Sequence, residues 1–343
     1  MMKLLNTLYV STQGSYLSKE GECIKIRIED KPPVMLPIHT LGGLVCFGNV
    51  MCSPFLLGHC AENNVAVSFL SETGRFLASV LGSASGNVLL RREQYRRADD
   101  HGASVELARA MVTGKLFNAR TLLRRAARDT AEKKSQLMLS ETADYLGQSL
   151  AGLERVDELE GIRGVEGEAA ARYFGVFNHL ITENHEAFHF SGRNRRPPRD
   201  PMNALLSLLY TVLMHDVRSA LEAAGLDPAV GFLHRDRPGR FGLALDLMEE
   251  FRAYIADRLA LTLVNRRQLV GSDFSYLESG AVLMKDEARK RLLVAYQERK
   301  RDVIRHSFTN EDTPIGLLWH IQARLLARHL RGDLDAYPPF VVR

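Results

Sequence analysis

Three groups of residues in this chain have side chains and spacing that could do chemistry. His185-Glu186-Ala187-Phe188-His189 reads H-E-x-x-H. On a helix, that spacing sets two imidazoles on one face to hold zinc, with the glutamate as general base. The surroundings argue against it, because Ser191-Gly192 and Pro197-Pro198 follow almost at once and would end the helix. The extended form, with a glycine and a third histidine at fixed spacing, is missing. An acid such as Glu222 could complete the site, but nothing singles it out. The second group is Gly164-Val165-Glu166-Gly167-Glu168, a carboxylate flanked by glycines where a metal or phosphate could approach closely. Its plain alternative is an acid in the first turn of a helix, favourable with the helix dipole. The third runs from Gly231-Phe232-Leu233-His234 to Asp246 and Glu249. Those two acids are three apart and share a helix face, with His234 in a loop able to fold back. One histidine and two or three carboxylates from separate segments suit Mg²⁺ or Mn²⁺ better than structural zinc.

The elements that must position these groups fall into two kinds. Cys23-Ile24-Lys25-Ile26-Arg27-Ile28 alternates apolar and basic residues, as a half-buried strand does. Further strands are expected at 34–38, 44–47, 65–70 and 75–80. Ser53-Pro54 predicts an N-cap and first-position proline opening a short helix. After the small residues at 81–86 the composition turns helical. Val105, Leu107, Ala108, Met111 and Val112 make an apolar stripe, and Leu205, Leu208, Leu209, Val212 and Leu213 mark a helix central to the core. The expectation is an α+β multidomain chain: a small β-rich domain over 1–81, a linker and first helix over 82–104, and a larger all-α catalytic domain over 105–343.

Composition sets the outer bounds. The chain has 343 residues, 45% hydrophobic and 25% charged, which is ordinary for a globular protein and excludes disorder as a description of the whole. No apolar run approaches the roughly 20 residues of a membrane span, and the first residues lack the features of a signal peptide. Cys23, Cys46, Cys52 and Cys60 contain no C-x-x-C pair and read as free thiols in a reducing cytoplasm. The formal charge is only +4, yet the arginines cluster. Arg91 and Arg92, Arg120 and Arg124, Arg193 and Arg196 head three groups, and residues 289–301 hold a fourth. Such stripes suit phosphate backbones, and equally suit a solvated helix face. Tyr16 and Gln94 read as packing residues before DNA contacts.

Taken together, these segments resemble the CRISPR-associated adaptation integrase family, the larger subunit of the spacer-acquisition complex. The matching strings are Arg163-Gly164-Val165-Glu166-Gly167 with Ala169-Ala170 and Tyr173-Phe174, Arg193 through Ser207 continuing to Tyr210, Gly231 through His234, and Leu243 through Arg252. Gly86-Asn87 with Arg91-Arg92-Glu93-Gln94-Tyr95, and Gly114-Lys115-Leu116-Phe117-Asn118-Ala119-Arg120, match upstream. The resemblance implies a β-rich N-terminal domain used for dimerisation and DNA-end contact, and a helical catalytic domain. It implies Mg²⁺ or Mn²⁺ held by Glu166, His234 and Glu249, with Asp246 a nearby acid in the catalytic set. Glu249 stands where relatives often carry Asp, and Glu250 is a competitor for its role. The implied partners are double-stranded and branched DNA, a second copy of the chain, and a small subunit completing a heterohexamer, with no membrane. The implied activity is metal-dependent DNA cleavage and integration, joining 3′-hydroxyl ends of short foreign duplexes to a CRISPR repeat by transesterification. Two rivals stand beside it: a zinc metalloprotease on His185, Glu186 and His189, and a non-catalytic DNA-binding scaffold.

Overall fold

The computed structural model describes residues 5–72, 76–80, 88–194 and 197–342. The chain divides into two compact units, one formed by 1–86 with 286–302, the other by 87–285 with 303–343.

The first unit is built on two four-stranded sheets. In one, β1 (Asn6–Val10), β5 (Leu41–Phe47) and β7 (Ala66–Leu70) run parallel, and β8 (Phe76–Val80) closes antiparallel to β7. In the other the order is β4 (Val34–Pro37), β3 (Cys23–Arg27), β2 (Tyr16–Glu20), β6 (Met51–Cys52). The alternation expected at 23–28 is realised: Ile24 and Ile26 are buried in the unit's core with Leu17, Leu44, Cys46 and Leu56, while Arg27 is exposed. Helix α1 (Pro54–Glu62) starts as expected, with the Ser53 hydroxyl accepting the Leu56 N–H at 3.2 Å. All four cysteines are free thiols.

The second unit is mainly helical. Its helices are α2 (Val88–Asp99), α3 (His101–Asp129), α4 (Lys133–Leu153), α5 (Leu159–Gly175), α6 (Pro201–Ala223), α7 (Gly242–Met248), α8 (Arg258–Asn265) and, after α9 (Asp286–Arg301) of the first unit, α10 (Leu318–Leu330). It also carries two short hairpins, β9 (Phe274–Tyr276) with β10 (Val282–Met284) and β11 (Val303–Arg305) with β12 (Asp312–Pro314). Helix α6 is the core helix that its sequence announced, capped by Asp200, which accepts the Asn203 N–H at 2.7 Å, with Pro201 at the first position. By length and composition α6 could cross a bilayer, but 72% of its most apolar window is buried inside the protein.

The domain limits differ from those expected. The division expected near 81–82, and the matching Gly86-Asn87, lie outside the described residues. Helix α2 belongs to the second unit, whereas α9 (Asp286–Arg301), expected within the catalytic domain, belongs to the first. The cause is contact distant in sequence. Gln297 donates to the Thr7 carbonyl at 2.7 Å, and the Arg289 guanidinium lies 5.6 Å from the centre of the Phe47 ring. Arg289 and Lys300 are therefore buried, and the fourth basic group is not one solvated stripe.

Candidate functional site

Four segments of the helical unit meet at one place. Glu166 lies in the middle of α5, not in a first turn, so the dipole reading of this acid does not hold. A methyl group placed on Gly164 or Gly167 would meet nothing within 4 Å, so the helix surface flanking Glu166 is open. Glu249 follows the last residue of α7 and is 3% exposed. Lys115 reaches both acids from α3: its Nζ donates to Glu166 Oε1 and lies 2.7 Å from Glu249 Oε2. Arg252 Nη1 takes the other Glu249 oxygen at 3.1 Å. Burial would push the Glu249 carboxyl up, but Arg252, Lys115 and then His234 outweigh it and hold the group at about 2.

His234 is fixed from behind. Its Nδ1 lies 2.5 Å from Asp246 Oδ1, which directs Nε2 outward when Nδ1 carries the proton. Asp246 is fully buried and also accepts the backbone N–H groups of Phe232, Leu233 and His234 at 2.6, 2.9 and 3.0 Å. Two glycines make this close approach possible. A Cβ on Gly231 would stand 2.5 Å from Asp246 Oδ2, and one on Gly242 would stand 2.7 Å from the Ala229 carbonyl. From α5, one turn before Glu166, Arg163 Nε donates to the Leu233 carbonyl at 2.6 Å. The histidine loop is thus tied to the helix that carries the glutamate.

The structure separates acids that the sequence grouped. Asp246, expected in the catalytic set, spends both oxygens on residues 232–234, His234 Nδ1 included. Glu250 turns away from Glu249: it accepts from Tyr337 Oη at 2.7 Å, Gln322 Nε2 at 3.0 Å and the Phe340 N–H at 2.8 Å. Its burial pushes the carboxyl up to about 8. Sequence reasoning missed Lys115 as a site residue, although it stands within a matched string. It also missed the floor of the site. There Asp257, in the π-helical turn Arg252–Asp257, accepts Tyr210 Oη at 2.5 Å and Tyr173 Oη at 2.9 Å, and burial raises its carboxyl to about 6. The guanidinium groups of Arg252 and Arg193 lie 4.9 and 5.2 Å from the centre of the Tyr210 ring.

The residues present fit a divalent cation in donor type, two carboxylates and an imidazole. Glu249 Oε2 is buried with no aligned hydrogen bond, only the ion pair to Lys115. Both carboxylates already converge on one positive charge. Among the described residues, no three acid, histidine or cysteine side chains stand ready around one point, and Lys115 pairs with both glutamates.

The H-E-x-x-H residues do not form a zinc site. His185 to Phe188 make a turn, not a helix, and His185, Glu186 and His189 are all exposed, so the one-face geometry is lost. Of the residues expected to touch DNA, Arg92 and Arg124 are exposed, the latter 3.2 Å from Asp144. Arg91 is half-buried and donates to the Gly225 carbonyl, and Arg120 is half-buried. Arg193 donates to Asn203 Oδ1 at 2.6 Å, and Arg196 lies outside the described residues. Gln94 is buried and donates to the Asp227 and Val230 carbonyls.

A β-rich unit, a helical unit, and a cluster of carboxylates beside an imidazole on the latter define an α+β protein of two units with a candidate metal site. The chain belongs to the family described as CRISPR associated protein Cas1, whose model matches residues 8–298. It is 57% identical over 343 residues to "CRISPR-associated endonuclease Cas1 1" of Chlorobaculum tepidum, covering 100% of both chains. Its fold is shared with a casposase bound to integration product (TM-score 0.82, 22% identity, 98% of this chain and 93% of that one). It is shared too with a chain of a Cas6-RT-Cas1–Cas2 complex (TM-score 0.83, 23% identity, 99% of this chain and 36% of that one).

Proposed function

We propose that this CRISPR-adaptation endonuclease joins the 3′-hydroxyl ends of short foreign duplex DNA to a CRISPR repeat by transesterification, using Mg²⁺ or Mn²⁺. The observation that carries the reading is the convergence of Glu166 and Glu249 on one cationic point, beside a histidine fixed by Asp246. Glu166, Glu249 and His234 would hold the cation, which supplies Lewis-acid polarisation of the phosphate and activation of the hydroxyl. One phosphorus–oxygen bond forms to the incoming 3′-oxygen as one breaks in the repeat. The number of phosphodiesters is conserved and no external energy is needed. Water as nucleophile gives hydrolysis at the same site.

The chain's own groups orient and screen. Asp246 and Arg163 hold the His234 loop, and the open surface at Gly164 and Gly167 leaves room for a phosphate beside Glu166. Arg92 and Arg124, exposed on α2 and α3, are suited to DNA backbones. Arg91, Arg120 and Arg193 would act nearer the protein, the last holding the loop before α6; Arg196 completes the set from the matched string. The same reading has the β-rich unit forming a homodimer and contacting DNA ends, and a small partner subunit completing a heterohexamer in the cytoplasm. The solved complex containing Cas1 and Cas2 supports the partner.

The test is strand transfer into a repeat-bearing supercoiled plasmid, with and without the small partner, in Mg²⁺, Mn²⁺ or chelator. Joining should need metal and Glu166 and be unchanged by His185→Ala. DNA binding that persists in Glu166→Ala, with no joining or branched-strand cleavage by the wild type under any metal, would instead make the protein a scaffold.

A further inference from the structure

The two glutamates of the site are held together by a group no metal-binding pattern includes. Lys115 Nζ bridges Glu166 and Glu249, and its side chain is 13% exposed, against 27% and 3% for the acids. Two carboxylates so placed repel, and an unpaired charge in such a setting is strongly destabilising. Arg252 pairs with the other Glu249 oxygen at 3.1 Å and attracts Glu166 from further off. Lys115 is in direct contact with one oxygen of each acid. A lysine suits this duty differently from an arginine: it is a compact charge on a flexible stem, without a rigid fork that would fix it in place. Beside it lies a cavity of about 30 Å³, lined by Lys115, Tyr173, Tyr210, Arg252 and Asp257.

We infer that Lys115 is the built-in counterion of the site: its ammonium joins Glu166 and Glu249 in the metal-free protein, and a divalent cation must displace it to bind. This rests on the reading that those glutamates hold the cation. The lysine keeps the metal-free site assembled and lowers its affinity for metal, because both positive charges compete for the same two oxygens.

The experiment is Mn²⁺ binding to the full chain, followed by the electron-spin resonance of free Mn²⁺, for wild type, Lys115→Met and Glu166→Gln. Lys115→Met should bind Mn²⁺ roughly tenfold tighter, since a like charge within ion-pair distance of the cation is removed. In chelator its melting temperature should fall below that of wild type, and Mn²⁺ should restore it. Equal or weaker Mn²⁺ binding by a folded Lys115→Met overturns the inference. If Glu166→Gln binds Mn²⁺ as wild type does, the metal site itself is wrong, an outcome distinct from failure of the lysine's role. Should Lys115→Met not fold, acetylation of the wild type decides. Mn²⁺ should raise the modification of Lys115 read by mass spectrometry, and no change overturns the inference.

Discussion

At the scale of single residues, the site depends on which way neighbouring acids point. Asp246 and Glu249 share a face in an ideal helix, but α7 ends at Met248 and the chain turns before the π-helical segment. Asp246 is left facing the histidine loop and Glu249 facing Lys115. Replacing Asp246 with Asn keeps the volume, but an NH2 at the Oδ2 position leaves the Phe232 and Leu233 N–H groups without their acceptor, and one at the Oδ1 position does the same to the His234 N–H and Nδ1. Strand transfer should drop about 10- to 100-fold, and metal affinity should fall with it, which equilibrium Mn²⁺ binding would measure. Retained affinity and rate would show that the histidine needs no such support. The string matches pointed to Glu166, His234 and Glu249 in the sequence. The role of Lys115 stayed hidden because no spacing rule pairs a lysine with an acid 51 positions away.

At the scale of elements, the loop that carries His234 is pressed onto the start of α7, where only glycine fits. A methyl group on Gly231 would stand 2.5 Å from Asp246 Oδ2 and 2.7 Å from the backbone carbon of Gly242, so the loop must lift. Gly231→Ala should cost about 1–3 kcal/mol of stability, as overpacking does, and should reduce strand transfer more than a change of equal cost far from the site. Gly164→Ala is the control. Its new methyl meets nothing within 4 Å, and alanine in a helix interior gains about 0.5–1 kcal/mol over glycine. Thermal unfolding of both variants separates the cases; equal stability would mean that the loop has slack that the geometry does not show. The glycine string was visible in the sequence. Its purpose was not, because a close approach between residues 231 and 246 is a property of the packed loop and helix.

At the scale of the whole molecule, the two kinds of domain were legible because their periodicities differ: Ile24 and Ile26 alternate, while Val105, Ala108 and Val112 recur at helical spacing. The return of α9 to the β-rich unit was not, since its composition is as helical as that of its neighbours and only contacts such as Gln297 with Thr7 assign it. The helical unit is joined at its centre by Asp257, which binds Tyr173 of α5 and Tyr210 of α6. Burial first, opposed by the two tyrosine hydroxyls and then Arg252 and Arg193, lifts this carboxyl from 3.8 to about 6. A raised carboxyl binds its proton more tightly in the folded state, so its contribution is fully present below pH 3.8 and is lost as pH rises through about 6. A shift of this size is worth about 3 kcal/mol. Asp257→Asn, which has no proton to lose, should remove this downward slope between about pH 4 and 6 from the pH dependence of urea unfolding and leave the dependence above pH 7 unchanged. A slope equal to that of wild type would mean that Asp257 is ionised throughout, with Arg252 and Arg193 compensating its burial in full.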